Sequence, residues 1–303
     1  MIETRPLVGV IPVVQTPLTV DRDIDIQAIH RHIDFLEARK VGGYWALGTG
    51  SEDMNLTFAE RLTAARALCE ANNGRLPLIL GAGFYCYKDS VAFMQETRAL
   101  EFDAYHVMPY HPLLSMGQLD TYYRMLADAA PKPLWLYTSA NWAQPLKPDF
   151  IEKLVEHPNI AGVKYSTQRT TDMLKTLTFV SPQFQMITAV AAQWAVTLAM
   201  GVKAGTTSLA GALPEMLLEI YDHHQAGRRE EAMAAQHRMN AFTAAWPKVK
   251  ADNFLTGAEE KYILSRRGIM QPFMTSYYRE LSAEEITQMD NALNDFGWAN
   301  LPN

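Results

Sequence analysis

A single lysine lies inside an otherwise apolar stretch of the chain. The segment "IAGVKYST" (Ile160–Thr167) has the short apolar pattern of a buried strand, with Lys164 at its centre. Burying an unpaired ammonium group is costly, so burial lowers the pKa of a lysine and favours the neutral amine. A neutral amine is a nucleophile that attacks carbonyl carbons to give Schiff bases. The alternative is a lysine whose stem packs on the strand while its head reaches water.

Two other segments carry groups that suit such chemistry. Tyr137 ends the apolar run "LWLYT", and a phenol next to Lys164 would exchange protons with the intermediates bound there. The alternative for Tyr137 is an aromatic side chain that fills the core. The glycine-rich loop "GTGSED" (Gly48–Asp53) offers backbone N–H groups that can hold a carboxylate, or it is an ordinary turn.

The elements that must position these residues alternate along the chain. Short apolar runs alternate with amphipathic segments, which predicts parallel βαβ units and an α/β fold. Eight such units predict a closed (β/α)8 TIM barrel, and the rival is an open doubly wound sheet. No G-x-G-x-x-G follows the first run, which disfavours the dinucleotide-binding version of that sheet. The predicted strands lie at 7–18, 42–50, 76–83, 104–110, 133–138, 160–166, 184–190 and 204–211.

The barrel prediction also bears on Lys164. Active sites of this fold lie at the carboxyl ends of the strands, and Lys164 is near such an end, which favours the chemical interpretation. Beyond residue 225 the strand pattern stops, and the remainder of the chain predicts three helices. We therefore predict a barrel over residues 1–225 and a helical region over 226–303 that packs on it.

Composition narrows the class of protein. The chain has 303 residues, 48% hydrophobic content and a net charge of −6, so no basic face for nucleic acid is expected. No apolar stretch is long enough to span a membrane, and the start lacks signal-peptide features. Two cysteines are too few for a disulfide framework, and no histidine or cysteine cluster predicts a metal site. These features predict a cytoplasmic enzyme.

Several motifs together resemble one family. "GVIPVVQTPL", "GTGSE", "MPYH", "LWLY", "GVKYST" and "LAGALPE" resemble the N-acetylneuraminate lyase and dihydrodipicolinate synthase superfamily of class I aldolases, over almost the entire chain. The resemblance implies a (β/α)8 barrel with a C-terminal helical region, assembled as a homotetramer. It implies a Schiff base between Lys164 and the ketone of pyruvate or another 2-oxo acid. No metal or other cofactor is implied, because the iminium group replaces a Lewis acid.

The resemblance also implies roles for further residues. Tyr137 would be the proton shuttle, linked to the hydroxyl of Thr49. His111 stands where the family has a second tyrosine that a neighbouring subunit supplies, so it is a proton relay or an interface residue. The predicted substrate-binding residues are Gly50, Ser51, Thr206, Thr207 and Trp142, and Tyr110 accompanies His111.

Trp142 differs from the residue of the synthase at a position that bears on which substrate is bound. The synthase has an arginine at this position, five residues after the shuttle tyrosine, to bind a carboxylate. Its replacement argues against dihydrodipicolinate synthase itself. An acceptor pocket made of Trp142, Phe84 and Trp194 would favour a less charged or partly apolar partner.

These observations favour a Schiff-base lyase or aldolase that joins or separates a 2-oxo acid and an aldehyde or sugar-acid partner. One alternative is a 2-keto-3-deoxy sugar acid dehydratase that uses the same lysine imine. An alternative of another class is a barrel that binds a small acid or a regulatory partner without turnover. The presence of Lys164, Tyr137 and Thr49 together favours catalysis.

Overall fold

Eight parallel strands form one closed barrel. The computed structural model describes residues 5–108, 113–139, 145–247, 249, 257–276 and 278–299. Each strand pairs with its neighbours in chain order, and β8 closes the barrel on β1. The strands are Gly9–Val14 (β1), Tyr44–Ala46 (β2), Leu78–Gly81 (β3), Ala104–Val107 (β4), Leu134–Ser139 (β5), Ile160–Ser166 (β6), Gln185–Thr188 (β7) and Ala204–Thr207 (β8).

Helices follow the strands and cover the outside of the barrel. They are Ile26–Ala38 (α1), Phe58–Asn72 (α2), Tyr87–Thr97 (α3), Met116–Ala129 (α4), Pro148–Val155 (α5), Thr170–Leu177 (α6), Trp194–Ala199 (α7), Ser208–Ala212 (α8) and Pro214–Gln225 (α9). Within the described residues, the last three are Arg229–Ala244 (α10), Ala258–Arg266 (α11) and Ala283–Asp295 (α12). The predicted (β/α)8 barrel with three C-terminal helices is confirmed. The division at residue 225 stays a prediction.

The strand residues form two packed layers because side chains alternate between the two faces of a strand. The inner layer fills the barrel with Ile11, Trp45, Ile79, Trp135 and Ile187, among others. Val163 and Tyr165 belong to the outer layer, between strands and helices. The intervening Lys164 therefore points into the barrel, as the alternation in "GVKYS" predicts.

The eighth strand is shorter than the sequence indicates. The prediction carried it to Gly211, but β8 ends at Thr207 and α8 begins at the next residue. The Thr207 hydroxyl accepts a hydrogen bond from the backbone N–H of Leu209 at 3.3 Å and so caps the helix. At Gly211 a Cβ atom would lie 2.3 Å from the Val13 carbonyl oxygen, so this turn packs directly on β1.

Two other sequence expectations concern the cysteines and the membrane. Both cysteines are free thiols, Cys69 buried and Cys86 exposed, in keeping with a chain that has too few cysteines for a disulfide framework. Across the ranges given above, none of the helices combines the length and the hydropathy that a bilayer crossing requires.

Candidate active site

Lys164 lies on the floor of a cavity at the carboxyl end of the barrel. It is the register partner of Tyr137 on β5 and of Ile187 on β7, and only 4% of it is exposed. Its Nζ atom lies 3.9 Å from the centroid of the Tyr137 ring and 5.0 Å from that of the Trp45 ring. Burial lowers the pKa of Lys164 to about 7, while the charge of Asp53 acts in the opposite direction. A large fraction of the amine is therefore neutral at physiological pH.

Tyr137 supplies a protonated phenol beside this amine. Burial raises the pKa of Tyr137 to about 12, and a side-chain hydrogen bond with Thr49 partly opposes that shift. The Thr49 hydroxyl also lies 3.4 Å from the sulfur of Met108. The structure thus brings Lys164, Tyr137 and Thr49 together. The Thr49 hydroxyl is hydrogen-bonded to the phenol of Tyr137, and the Tyr137 ring lies beside the amine of Lys164.

The loop after β2 uses its residues differently. Thr49–Ser51 forms a single 3-10 turn. The Ser51 hydroxyl donates to the Val14 carbonyl at 2.6 Å, and the Ser51 carbonyl accepts from the Thr16 hydroxyl at 2.7 Å. Ser51 is fully buried and does not line the cavity. Gly50 does line it, and a Cβ there would approach Val13 Cγ1 to 2.9 Å, so glycine permits the close packing of the loop on β1.

The end of β8 contributes two hydroxyls to the opposite wall. Thr206 is 2% exposed, and its hydroxyl has no hydrogen-bond partner within the described part of the chain. Buried hydroxyls are normally hydrogen-bonded, so a ligand in the cavity is a natural partner for this one. Thr207 lines the cavity too, although its hydroxyl also caps α8.

The cavity has a volume of about 620 Å³ and a lining rich in hydroxyls. Ser139 and Ser166 lie two residues after Tyr137 and Lys164, on the same strand faces, so the period of two that located Lys164 also indicates them. No pattern in the sequence indicated the other lining residues that join the predicted ones. The lining residues beyond those predicted are Val13, Ser139, Ser166, Thr167, Gln168, Arg169, Ala189, Val190, Ala191, Ala192 and Ser208.

The charge of the cavity is positive or neutral. None of the described residues that line it is acidic. Arg169 stands at the mouth with 74% of its side chain exposed and forms an ion pair with Asp172 at 3.2 Å. This distribution favours an anionic ligand, since the lysine and the arginine are the lining groups that carry charge.

Further aromatic groups surround the floor and were not singled out from the sequence. Trp45 stacks on His106 with their ring centroids 4.4 Å apart. Burial and the nearby charge of Lys164 hold the pKa of His106 well below its ordinary value. His106 Nε2 lies 3.0 Å from the Ala46 carbonyl oxygen, so a neutral ring donates through that nitrogen. Asp53, whose charge acts on Lys164, is paired with the buried Arg61 at 3.2 Å.

Some predicted site residues are not part of this geometry. Tyr110, His111 and Trp142 lie outside the described residues. Trp194 is packed behind β8, and its indole N–H donates to the Leu217 carbonyl. Phe84 packs on other aromatic rings, away from the cavity. Neither of these two aromatic residues lines the cavity, so an acceptor pocket that includes them was a wrong expectation.

Comparison with known proteins identifies the family. The family model described as the dihydrodipicolinate synthetase family matches residues 6–293. The chain belongs to this family. Among curated proteins it is 28% identical over 219 residues to the probable 2-dehydro-3-deoxy-D-pentonate aldolase of Escherichia coli, covering 70% of this chain and 73% of that protein. It is 29% identical over 248 residues to the probable mitochondrial 4-hydroxy-2-oxoglutarate aldolase of Emericella nidulans, covering 77% and 78%.

Solved structures of the family share the fold. Dihydrodipicolinate synthase from Bacteroides thetaiotaomicron aligns with a TM-score of 0.88 at 24% identity, over 96% of this chain and 99% of that one. N-acetylneuraminate lyase from Mycoplasma synoviae aligns with a TM-score of 0.84 at 22% identity, over 96% and 98%. With its family shown, the chain is a class I lyase or aldolase, as the sequence motifs predicted. Within the described residues, no group of three His, Cys, Asp or Glu is arranged to hold a metal.

Proposed function

We propose that Lys164 forms an imine with the ketone of pyruvate or a related 2-oxo acid, and that the enzyme makes or breaks the carbon–carbon bond next to it. The observation that carries this proposal is the buried amine of Lys164, whose pKa is about 7 and which faces the cavity. Neutral amine attacks the ketone, and the protonated imine then attracts electrons from the neighbouring bond.

The proton transfers fall to Tyr137. Its hydroxyl gives a proton to the oxygen of the carbinolamine, which leaves as water when the imine forms. In the cleavage direction, Tyr137 then takes the proton of the substrate hydroxyl as that group becomes an aldehyde. The electron pair of the broken bond passes to the iminium nitrogen and gives an enamine. Protonation of the enamine carbon and hydrolysis release the 2-oxo acid and free Lys164. The hydrogen bond with Thr49 orients the phenol for both transfers.

The two halves of the cavity suit the two parts of the substrate. The carboxylate of the 2-oxo acid is bound by Gly50 and by the hydroxyls of Thr206 and Thr207. The partner, an aldehyde or sugar acid, occupies the outer half beside Ser139 and Ser166. The hydroxyls there supply donors and acceptors for a hydroxylated chain. The activities named for the two curated relatives, a deoxypentonate aldolase and a hydroxy-oxoglutarate aldolase, support such a partner.

Three parts of the proposal rest on the family resemblance. We propose a homotetramer, with Tyr110 and His111 at a subunit interface or in the proton relay. We propose that Trp142 replaces a carboxylate-binding arginine, so that the enzyme is not dihydrodipicolinate synthase. We propose that catalysis uses the lysine imine without a metal, in a cytoplasmic enzyme. Light scattering tests the tetramer, and an assay with the synthase substrates tests the second point.

Borohydride trapping tests the central proposal. The protein is incubated with pyruvate and borohydride, and the mass gain is located by peptide mapping. We expect a reduced adduct on the peptide that contains Lys164, and none in Lys164→Ala. A matched control is Lys203→Ala, which removes an exposed lysine just before β8 and should trap as the wild type does. Failure of the wild type with a panel of 2-oxo acids would favour the non-catalytic binding protein.

Product analysis separates the two enzyme alternatives. With a 2-keto-3-deoxy sugar acid, carbon–carbon cleavage releases a 2-oxo acid and an aldehyde. A dehydratase expels water through the same imine and keeps the carbon chain whole. We expect the cleavage products, in line with the aldolase names of the curated relatives.

A further inference from the structure

The C-terminal helical region reaches both the cavity wall and the loop after β2. Two of the contacts come from the first turn of α11, where Glu260 and Lys261 are buried. The Ser208 hydroxyl, in the cavity lining, donates to Glu260 Oε1 at 2.8 Å. Lys261 forms an ion pair with Glu52, in the loop that carries Thr49. The C-terminal part of the chain therefore reaches both the β8 wall and the β2 loop.

Glu52 is held by three groups from this region. Its carboxylate forms an ion pair with the ammonium of Lys261, and it accepts hydrogen bonds from both the backbone N–H and the hydroxyl of Thr275 at 2.8 Å each. The side chains of Glu52 and Lys261 are each 1% exposed. The Lys261 ammonium also donates to the Phe273 carbonyl at 2.7 Å. A buried charge that loses its partner is expensive, so these bonds are hard to break singly.

The backbone at Glu52 needs this support. Its φ of 58° lies in the left-handed region, which a residue with a Cβ seldom adopts. The Glu52 N–H donates to the Thr49 carbonyl at 3.0 Å and so closes the turn that displays Thr49. Asn55, at the end of the same loop, donates to the Thr275 hydroxyl at 3.1 Å. Thr275 thus binds the loop at two places, after the turn that faces Tyr137.

We propose that Glu52, Lys261 and Thr275 are positioning residues for catalysis: they hold the Thr49–Ser51 turn in the position that lets Thr49 contact Tyr137. The inference rests on the proposed imine chemistry for its catalytic consequence. If the three contacts loosen, Thr49 shifts relative to the phenol, and proton transfer slows while the amine of Lys164 stays in place. The C-terminal region is then part of the active site, through residues that contact no substrate.

The sharpest test compares Thr275→Val with Thr275→Ser. Valine keeps the shape but removes the hydroxyl that serves Glu52 and Asn55, whereas serine retains it. We expect backbone amides 48–55 to exchange with deuterium about ten-fold faster in the valine variant, and within about two-fold of wild type in the serine variant. We expect the rate of solvent-deuterium incorporation into the pyruvate methyl group to fall about ten-fold in the valine variant. Borohydride trapping at saturating pyruvate should remain complete in both.

Two further variants keep the proposal falsifiable. Lys261→Met should speed amide exchange at 48–55 and slow deuterium incorporation into pyruvate more than Thr275→Val does, both measured on the fraction of the protein that folds. Glu215→Gln is the control, because it disturbs a different ion pair of the C-terminal region, the one with the buried Arg267. It should leave amide exchange at 48–55 and deuterium incorporation into pyruvate near their wild-type rates. Wild-type amide exchange at 48–55 in Thr275→Val would overturn the positioning role, with or without imine chemistry. Failure of wild type to trap any 2-oxo acid would overturn the proposed function alone.

Discussion

At the scale of the residue, the central feature is an amine that the fold makes reactive at a cost in stability. Among the described strand residues, Lys164 is the only one with a formal charge, and it faces the inside of the barrel. The rings of Trp45 and Tyr137 beside it exclude water, and this desolvation lowers its pKa to about 7. The same desolvation makes the protonated form costly in the folded state.

Replacement of Lys164 by methionine should therefore stabilise the protein in a pH-dependent way. Below pH about 7 both states are protonated, and the folded state bears the full cost of the charge. Between about 7 and the ordinary value of 10.5, only the unfolded state keeps the proton, so wild-type stability rises with pH. We expect Lys164→Met to raise the free energy of unfolding by about 2 kcal/mol near pH 6, and by less near pH 9. Urea titrations at the two pH values measure this. A difference that did not change with pH would contradict the lowered pKa.

Removal of the Tyr137 hydroxyl should affect turnover far more than stability. We expect Tyr137→Phe to lower kcat/KM by about 10²-fold, because the proposed proton donor and acceptor for the carbinolamine is lost. Tyr105→Phe is the matched control, since Tyr105 is also buried but faces the outer layer, where its hydroxyl donates to the Met94 carbonyl. That control should keep kcat/KM. Both variants are measured by steady-state kinetics. Equal losses of kcat/KM in the two would argue against a proton-transfer role for Tyr137.

At the scale of the element, glycines in the strands make room for tryptophans. A Cβ at Gly162 of β6 would lie 2.3 Å from the Gln185 carbonyl oxygen and 2.8 Å from the ring of Trp135. A Cβ at Gly205 of β8 would lie 2.6 Å from the ring of Trp194. Real Cβ atoms do not come so close, so each glycine is required by the packing of a large neighbour.

Substitution of Gly162 by alanine should consequently destabilise the barrel. We expect a loss of about 1–3 kcal/mol, because β6 must move away from Trp135 and β7. Gly117→Ala in α4 is the opposite case, since the described structure places no atom within 4 Å of a Cβ there. This second change should stabilise by about 0.5 kcal/mol through helix propensity. Thermal melts of both variants test the pair, and a stable Gly162→Ala protein would refute the packing argument.

At the scale of the whole molecule, the C-terminal helices and the barrel share one hydrophobic core. Phe242 of α10, Ile263 of α11 and Leu293 of α12 are buried in the same cluster as the outer barrel layer. Arg267 follows α11, is buried, and forms an ion pair with the partly exposed Glu215 of α9 at 3.1 Å. Contacts of this kind make the two regions mutually dependent for stability.

We expect the barrel and the C-terminal region to unfold together. Far-ultraviolet circular dichroism, which reports helices throughout the chain, and tryptophan fluorescence, to which barrel residues such as Trp45 and Trp135 contribute, should give coincident urea transitions. The physical reason is that loss of α11 would leave the buried carboxylate of Glu52 without the compensating charge of Lys261. Two separated transitions would show that the regions are independent domains.

The sequence by itself determined the barrel, its helical cover and the inward face of Lys164, because strand alternation and helix periodicity are local patterns. The family motifs indicated Tyr137 and Thr49 as well. The tertiary structure alone decided that the Ser51 hydroxyl serves β1, that β8 ends at Thr207, and that Glu52 meets Lys261. Such partners are far apart in the chain, and a local pattern states that a side chain is buried without stating which group it contacts.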